Sequence, residues 1–265
     1  MRNLSATLKN VKYFLLDLDG TVYLGDKLIG DMNKTLEFLR NNGKKIVYLS
    51  NNSSRGEKDY IKKLKKLKIY NKNDLIYTSA NATCDYLKEN YPSKSVYVLG
   101  TNSFKKQLRK NGIKVAKKGV ADIALLAYDT SVNYKKISLF SKVLSSGALY
   151  ISTHPDICCP TESISLPDAG SFIKMFECCY QKTPSLIIGK PYKIMGENLM
   201  KKFGAKKDEF VMVGDRLYTD IGFGVNNEFL SLLVLSGEAK KDDVENSDVK
   251  PDFILSSLND IKNYF

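Results

Sequence analysis

A chain of 265 residues, 43% of them hydrophobic, can hold one large α/β domain or a domain with a second, smaller one, with ample apolar side chains for a core. No apolar run is long enough to cross a bilayer, and Met1-Arg2-Asn3-Leu4-Ser5 lacks the apolar centre of a signal peptide, so a cytoplasmic protein with no membrane partner is expected. The net charge of +12 comes from scattered lysines without a nucleic-acid-binding motif; no nucleic-acid partner is expected, and the charge argues at most for long-range attraction of anionic substrates.

Residues 11–18 read as a strand whose apolar run Phe14-Leu15-Leu16 ends in Asp17-Leu18-Asp19-Gly20-Thr21. Residues two apart on a strand point the same way, so Asp17 and Asp19 can face one spot at its carboxyl end. Two carboxylates held together raise one another's pKa, which calls for a cation or for different protonation roles; the alternative is a strand that ends in solvated aspartates. Residues 33–41 predict a short helix ended by Gly43, and residues 45–50 a second strand, a βαβ beginning that implies a parallel sheet. That strand runs into Ser50-Asn51-Asn52-Ser53-Ser54, small donors suited to an anion such as phosphate, although for Ser53 and Ser54 capping of the next helix is the preferred reading. Tyr60, Ile61, Leu64 and Leu67, interleaved with lysines, give that helix one apolar face and one basic, solvated face.

From about Ser79 to Thr183 the alternation continues, with helices over residues 81–89, 104–110, 134–145 and 172–180 and strands over 95–99, 123–127 and 149–152. This block is large enough to fold as its own α/β domain. Its loops hold Asp129, His154, Asp156 and Asp168, for each of which a turn or helix-cap role stands beside a role in substrate selectivity. His154 is the only histidine, so any histidine-dependent proton transfer must use it; a substrate contact is the more plausible role. The five cysteines, Cys84 and the adjacent pairs Cys158-Cys159 and Cys178-Cys179, lack C-x-x-C spacing and are expected to be reduced and mostly buried.

Residues 185–191 read as an apolar strand ending in Lys190-Pro191, where the proline favours an extended lysine. A helix over 198–203 and a buried strand over 210–213 follow, and the strand delivers Gly214-Asp215-Arg216-Leu217-Tyr218-Thr219-Asp220. Residues 230–235 and 253–255 supply closing strands and 258–264 a terminal helix. Four strand-like segments thus end in Asp17/Asp19, Ser50/Asn51, Lys190 and Asp215/Asp220. In an open parallel sheet such ends meet at one crevice, and this combination of groups suits a divalent cation and a phosphoryl group.

In order and spacing these segments resemble the four motifs of the haloacid dehalogenase-like (HAD) hydrolases. The large insertion between the second and third motifs, together with Leu49-Ser50-Asn51-Asn52, Ile188-Gly189-Lys190-Pro191 and Gly214 to Ile221, resembles subfamily IIA, the NagD and 4-nitrophenylphosphatase-like phosphatases. The resemblance implies a Rossmann-like parallel-sheet core domain over residues 1–78 and 184–265, with an inserted α/β cap domain over 79–183. It implies a magnesium-dependent phosphatase for small phosphomonoesters, of sugar phosphate, nucleotide or 4-nitrophenyl phosphate type. Asp17 would be the nucleophile that forms an aspartyl-phosphate, and Asp19 the general acid and base. Mg2+ would be held by the Asp17 carboxylate, the Asp19 backbone carbonyl and Asp215. Ser50, Lys190 and backbone N–H groups near Asn51 would bind phosphate, while Asp220 would orient Lys190 or a metal-bound water. An acid at Asp19 favours phosphoryl transfer over dehalogenation, since an alkoxide leaving group needs a proton and a halide does not. Many subfamily members carry Asn where His154 stands and Gly where Asp168 stands, departures that bear on the substrate. Cap surfaces could pair subunits into a homodimer. A phosphomutase and a non-catalytic phosphate-binding protein are the competing readings, separated by release of inorganic phosphate and by metal-dependent turnover.

Overall fold

The computed structural model describes residues 3–160 and 164–265. Two sheets of six and five strands carry the chain. In chain order their strands are β1 (Tyr13–Leu16), β2 (Lys45–Ser50), β3 (Leu75–Thr78), β4 (Ser95–Leu99), β5 (Lys114–Val115), β6 (Ile123–Leu126), β7 (Leu149–Ser152), β8 (Leu186–Ile187), β9 (Phe210–Gly214), β10 (Leu230–Val234) and β11 (Phe253–Leu255). Two compact units result: Met1–Ser50, Lys58–Tyr77 and Lys190–Phe265 form the first, and Asn51–Glu57 with Thr78–Gly189 the second.

The six-stranded sheet has the order β11-β10-β9-β1-β2-β3, with β1 inside it. β1 pairs with β9 and β2, and β10 with β9 and β11, all in parallel. Every residue of β1, β9 and β10 is buried, as expected for strands covered on both faces, where an unbroken apolar run replaces alternation. The helix Met32–Asn41 turns Met32, Leu36 and Leu39 into this core, and Glu57–Lys66 turns in Tyr60 and Leu64. The register places Leu16 beside both Tyr48 and Val213, so the carboxyl ends of β1, β2 and β9 lie along one edge. Asp17, Ser50 and Asp215 leave the sheet there.

The second sheet has the order β8-β7-β6-β4-β5, parallel throughout. Its core centres on Phe140, whose ring lies 4.9 Å from that of Phe176 and 5.8 Å from that of Tyr150. Thr78, Thr101 and Asn133 cap the helices Ser79–Asn90, Asn102–Lys110 and Tyr134–Ser145 by accepting backbone N–H groups, each contact worth about 1 kcal/mol. An antiparallel hairpin, Cys158–Pro160 with Ser165–Pro167, precedes the helix Ala169–Tyr180.

Several expectations change. The apolar run from residue 185 is the short strand β8, which pairs with β7 in the second unit's sheet, Leu186 beside Ile151. The helix expected over 198–203 begins at Ile194, because Met195 is also buried against the core. Residues Leu258–Tyr264 wind as a 3-10 helix. Cys84 is buried, and burial pushes its thiol up to about 12, but Cys158, Cys178 and Cys179 are exposed. The buried stripe of the helix Ala169–Tyr180 is taken by Ile173 and Phe176, which leaves the two cysteines at its end to face outward. No helix among the described residues is long and apolar enough to cross a membrane.

Candidate active site

Asp17 is the first residue past β1, and its N–H donates to the Val213 carbonyl of β9 at 2.9 Å, which fixes it beside the Gly214-Asp215 step. The Lys190 ammonium, 2% exposed, donates to Asp17 Oδ1 at 2.7 Å and to Asp220 Oδ1 at 2.6 Å. Asp220 sits in the π-helical turn Leu217–Ile221, and its second oxygen accepts the Arg216 N–H at 3.1 Å. Asp215, 2% exposed, accepts the Glu238 N–H at 2.8 Å and the Thr21 hydroxyl at 3.4 Å. Asp17, Asp215 and Asp220 each present an oxygen within 4.8 Å of the others.

Three carboxylates against one ammonium leave a surplus of buried negative charge. Burial raises the Asp17 carboxyl well above the usual range, and repulsion from Asp220 and Asp215 adds to the effect while Lys190 opposes it. Burial, with Asp220, pushes Asp215 up to about 6. Burial alone would lower the Lys190 pKa, but Asp17 and Asp220 outweigh it and raise it, so the ammonium stays charged. Arg216 adds a guanidinium nearby, already paired to Glu238 at 2.9 Å. An all-oxygen donor set with uncompensated charge fits a hard divalent cation. Asp220 is tied to the Lys190 ammonium and to the Arg216 N–H, and Asp17 and Asp215 stand beside it as the candidate ligands.

Asp19 and Ser50 complete what the first unit holds. The Asp19 side chain is 57% exposed, with Lys63 at 4.0 Å, and the Lys63 ammonium lies 3.8 Å from the centre of the Tyr23 ring. Ser50 Oγ is 3.2 Å from the Tyr60 hydroxyl.

Asn51, Asp129, His154, Asp156 and Asp168 belong to the second unit. His154 is fully buried, with Nε2 2.8 Å from Asp168 Oδ1 and Nδ1 2.8 Å from the Thr153 hydroxyl. Burial lowers its pKa, but the Asp168 carboxylate prevails and raises it. Asp168 also accepts the Ala169 N–H at the start of its helix. Asp156 accepts the Asn51 amide at 2.9 Å. Asp129 is held by the Ser131 N–H and hydroxyl and by the Lys136 ammonium at 2.8 Å. Ser53 and Ser54 do not start the next helix. The Ser53 hydroxyl accepts from Tyr128 N–H and from Thr153, and Ser54 donates to Asn52.

Asp17, Lys190, Asp215 and Asp220, expected from the sequence to share one site, do meet; Thr21, Arg216 and Glu238 join them without having been expected there. The first two stood inside the quoted motifs; Glu238 follows the carboxyl end of β10, the same kind of position that drew attention elsewhere.

A family model described as haloacid dehalogenase-like hydrolase matches residues 14–114, and a second, HAD-hydrolase-like, matches residues 187–261. An acid sugar phosphatase of Staphylococcus epidermidis is 31% identical over 95% of this chain and 97% of its own. One from Staphylococcus aureus is 32% identical over 96% and 97%. The crystal structure of a 4-nitrophenylphosphatase from Thermotoga maritima superposes with a TM-score of 0.93, at 35% identity over 97% of this chain and 98% of that one. With relatives this similar along nearly its whole length, the chain belongs to the haloacid dehalogenase-like hydrolases, in the NagD and 4-nitrophenylphosphatase-like subfamily IIA.

Proposed function

We propose that the protein is a magnesium-dependent phosphatase of small phosphomonoesters, sugar phosphates among them. The observation that carries this reading is the Lys190 ammonium held between Asp17 and Asp220, with Asp215 beside them, at the carboxyl edge of the parallel sheet. The acid sugar phosphatase and 4-nitrophenylphosphatase relatives support the substrate class.

Asp17 attacks phosphorus through its carboxylate. The new O–P bond forms as the bond to the leaving oxygen breaks, and that oxygen takes a proton from Asp19. In the second half Asp19 accepts a proton from water, whose oxygen displaces the Asp17 carboxylate and releases inorganic phosphate. Asp19 is exposed, as a group that exchanges protons with a leaving group and with water must be. Lys190 holds Asp17 Oδ1, orients the carboxylate and offsets charge on the phosphoryl oxygens, while Asp220 keeps Lys190 in place. Ser50 and N–H groups near Asn51 bind phosphate. The Asp17 carboxylate, the Asp19 backbone carbonyl and Asp215 would hold Mg2+, which when bound supplies positive charge that keeps Asp17 and Asp215 ionised and polarises the phosphoryl group. The α/β block over residues 79–183 serves as the cap that selects the leaving group; Asp129, His154, Asp156 and Asp168 in its loops are each already paired and support those loops.

The test is phosphate release from 4-nitrophenyl phosphate and a panel of sugar phosphates and nucleotides, with magnesium and with chelator. Wild type should release phosphate only with the metal. Asp17→Asn should lose at least about a thousandfold in kcat, since it removes the nucleophile. No release from any ester by folded, metal-loaded protein overturns the reading.

A further inference from the structure

We propose that the turn Ser236-Gly237-Glu238, which follows β10, is a positioning element that sets the metal affinity of Asp215. The inference rests on the phosphatase reading above and deepens it.

The turn grips two loops at once. The Ser236 hydroxyl donates to the Gly20 carbonyl at 2.8 Å, in the loop that follows Asp17 and Asp19. The Glu238 N–H donates to Asp215 Oδ2 at 2.8 Å, and the Ala239 N–H to the Asp215 carbonyl at 3.0 Å. The Asp215 carboxylate therefore has one oxygen fixed by a backbone donor, which sets the direction of the other. Thr21 Oγ1, 3.4 Å from Oδ1, approaches from the side of the first loop.

Steric confinement accompanies these bonds. A side-chain carbon at Gly20 would run into the Asp215 carboxylate, and so would one at Gly237. Gly20 also has a φ of +92°, which glycine adopts without strain. The carboxylate is thus wedged between two residues that have no side chain, one from each turn. Glu238 closes the arrangement, because its own carboxylate holds Arg216 at 2.9 Å, the residue next to Asp215 in the chain. A backbone donor, two absent side chains and an ion pair to the adjacent residue all act on the one group.

Such outer contacts orient a metal ligand, and their loss weakens metal binding about 10- to 100-fold. Calorimetric titration with magnesium, and the magnesium-induced rise in Tm, read this without turnover. Gly237→Ala should bind magnesium at least about tenfold more weakly than wild type, and kcat should recover as magnesium is raised to saturation, with KM for 4-nitrophenyl phosphate little changed. Glu238→Ala should act in the same direction more weakly, and Glu238→Gln, which keeps an acceptor for Arg216, should restore most of the loss. Glu238 is half exposed at its side chain, so its variants keep the test open if Gly237→Ala does not fold. Magnesium binding by Gly237→Ala or Glu238→Ala equal to that of wild type overturns the positioning role alone, as does activity that stays lost at saturating magnesium. A wild type that binds no magnesium overturns the phosphatase reading, and this role with it.

Discussion

Each unit contains a buried cluster of three titratable side chains, and the two are built on opposite electrostatic principles. In the first, Asp17, Asp215 and Asp220 meet around one ammonium that pairs with Asp17 and Asp220 but not with Asp215, and two of the carboxyls are driven upward in pKa by burial and mutual repulsion. In the second, His154 faces Asp168 and Asp156 faces the Asn51 amide, so each acidic group has its own partner. A protein gains nothing in stability from buried like charges, since the desolvation of each must be offset by something else. Surplus charge therefore marks where an external cation or substrate is needed, while a closed set of pairs marks architecture. The same residue types give no such distinction in sequence.

Lys190→Met should break the first cluster most severely. We expect a loss of about 10²–10³ in kcat, since the proposed mechanism uses this ammonium to offset charge on the phosphoryl oxygens. We also expect about 3–5 kcal/mol of destabilisation in urea, because Asp17 and Asp220 would be left buried without their partner. Full stability with lost activity would show that the lysine contributes nothing to the balance of that cluster.

His154→Asn sharpens the contrast from the other side. It should cost about 3 kcal/mol in urea unfolding, since Asp168 is left buried without its charged partner, while kcat/KM for 4-nitrophenyl phosphate stays within about threefold of wild type. The reverse pattern, normal stability with altered ranking across a substrate panel, would move His154 from architecture to substrate selection.

The clusters should also respond to pH with identifiable signs. Metal binds the ionised carboxylate, so magnesium affinity should fall as pH drops through about 6, where Asp215 takes up its proton. In metal-free protein the folded state holds that proton more tightly than the unfolded state does. Stability should therefore decline as pH rises from near 4 toward about 6, and saturating magnesium should flatten the decline. For His154 the folded pKa lies above its usual 6.5, so its pair with Asp168 contributes fully below that value and the contribution is lost as pH rises through the folded pKa. Urea midpoints across pH, for wild type and His154→Asn, check this smallest effect; superimposable profiles would remove the ion pair from the account.

The parallel sheets and the first cluster were legible because both rest on short-range signals. Apolar runs that end in carboxylates mark strands and their carboxyl edge, and a parallel sheet brings those edges together; the run that ends in Lys190 belongs to the other sheet, and the lysine reaches the cluster from the segment after it. The His154–Asp168 pair was not legible: its partners lie in separate loops, and their meeting depends on where β7 ends and where Asp168 begins its helix. The membership of β8 was hidden for a related reason. Two apolar residues, Leu186 and Ile187, fit the edge of either sheet, and only the pairing with β7 decides. Ser53 looked like a helix cap because a serine before a helix usually is one. Its hydroxyl is instead engaged by Tyr128 and Thr153, a tertiary contact that no local pattern announces.

The place of β1 inside its sheet has a consequence for how the protein comes into being. One neighbour, β2, follows soon in the chain, but β9 arrives only near its end, and Thr21 and Asp215 are 194 residues apart. At synthesis rates of about 5–20 residues per second, the ribosome needs roughly ten to forty seconds to supply the missing edge. The second unit, drawn mostly from one continuous stretch, can complete itself in that interval. The first must wait with an apolar strand edge open, which is the aggregation-prone phase of its biogenesis. The strand that leads into Asp17 is thus the first of the sheet to be made and among the last to be fully enclosed.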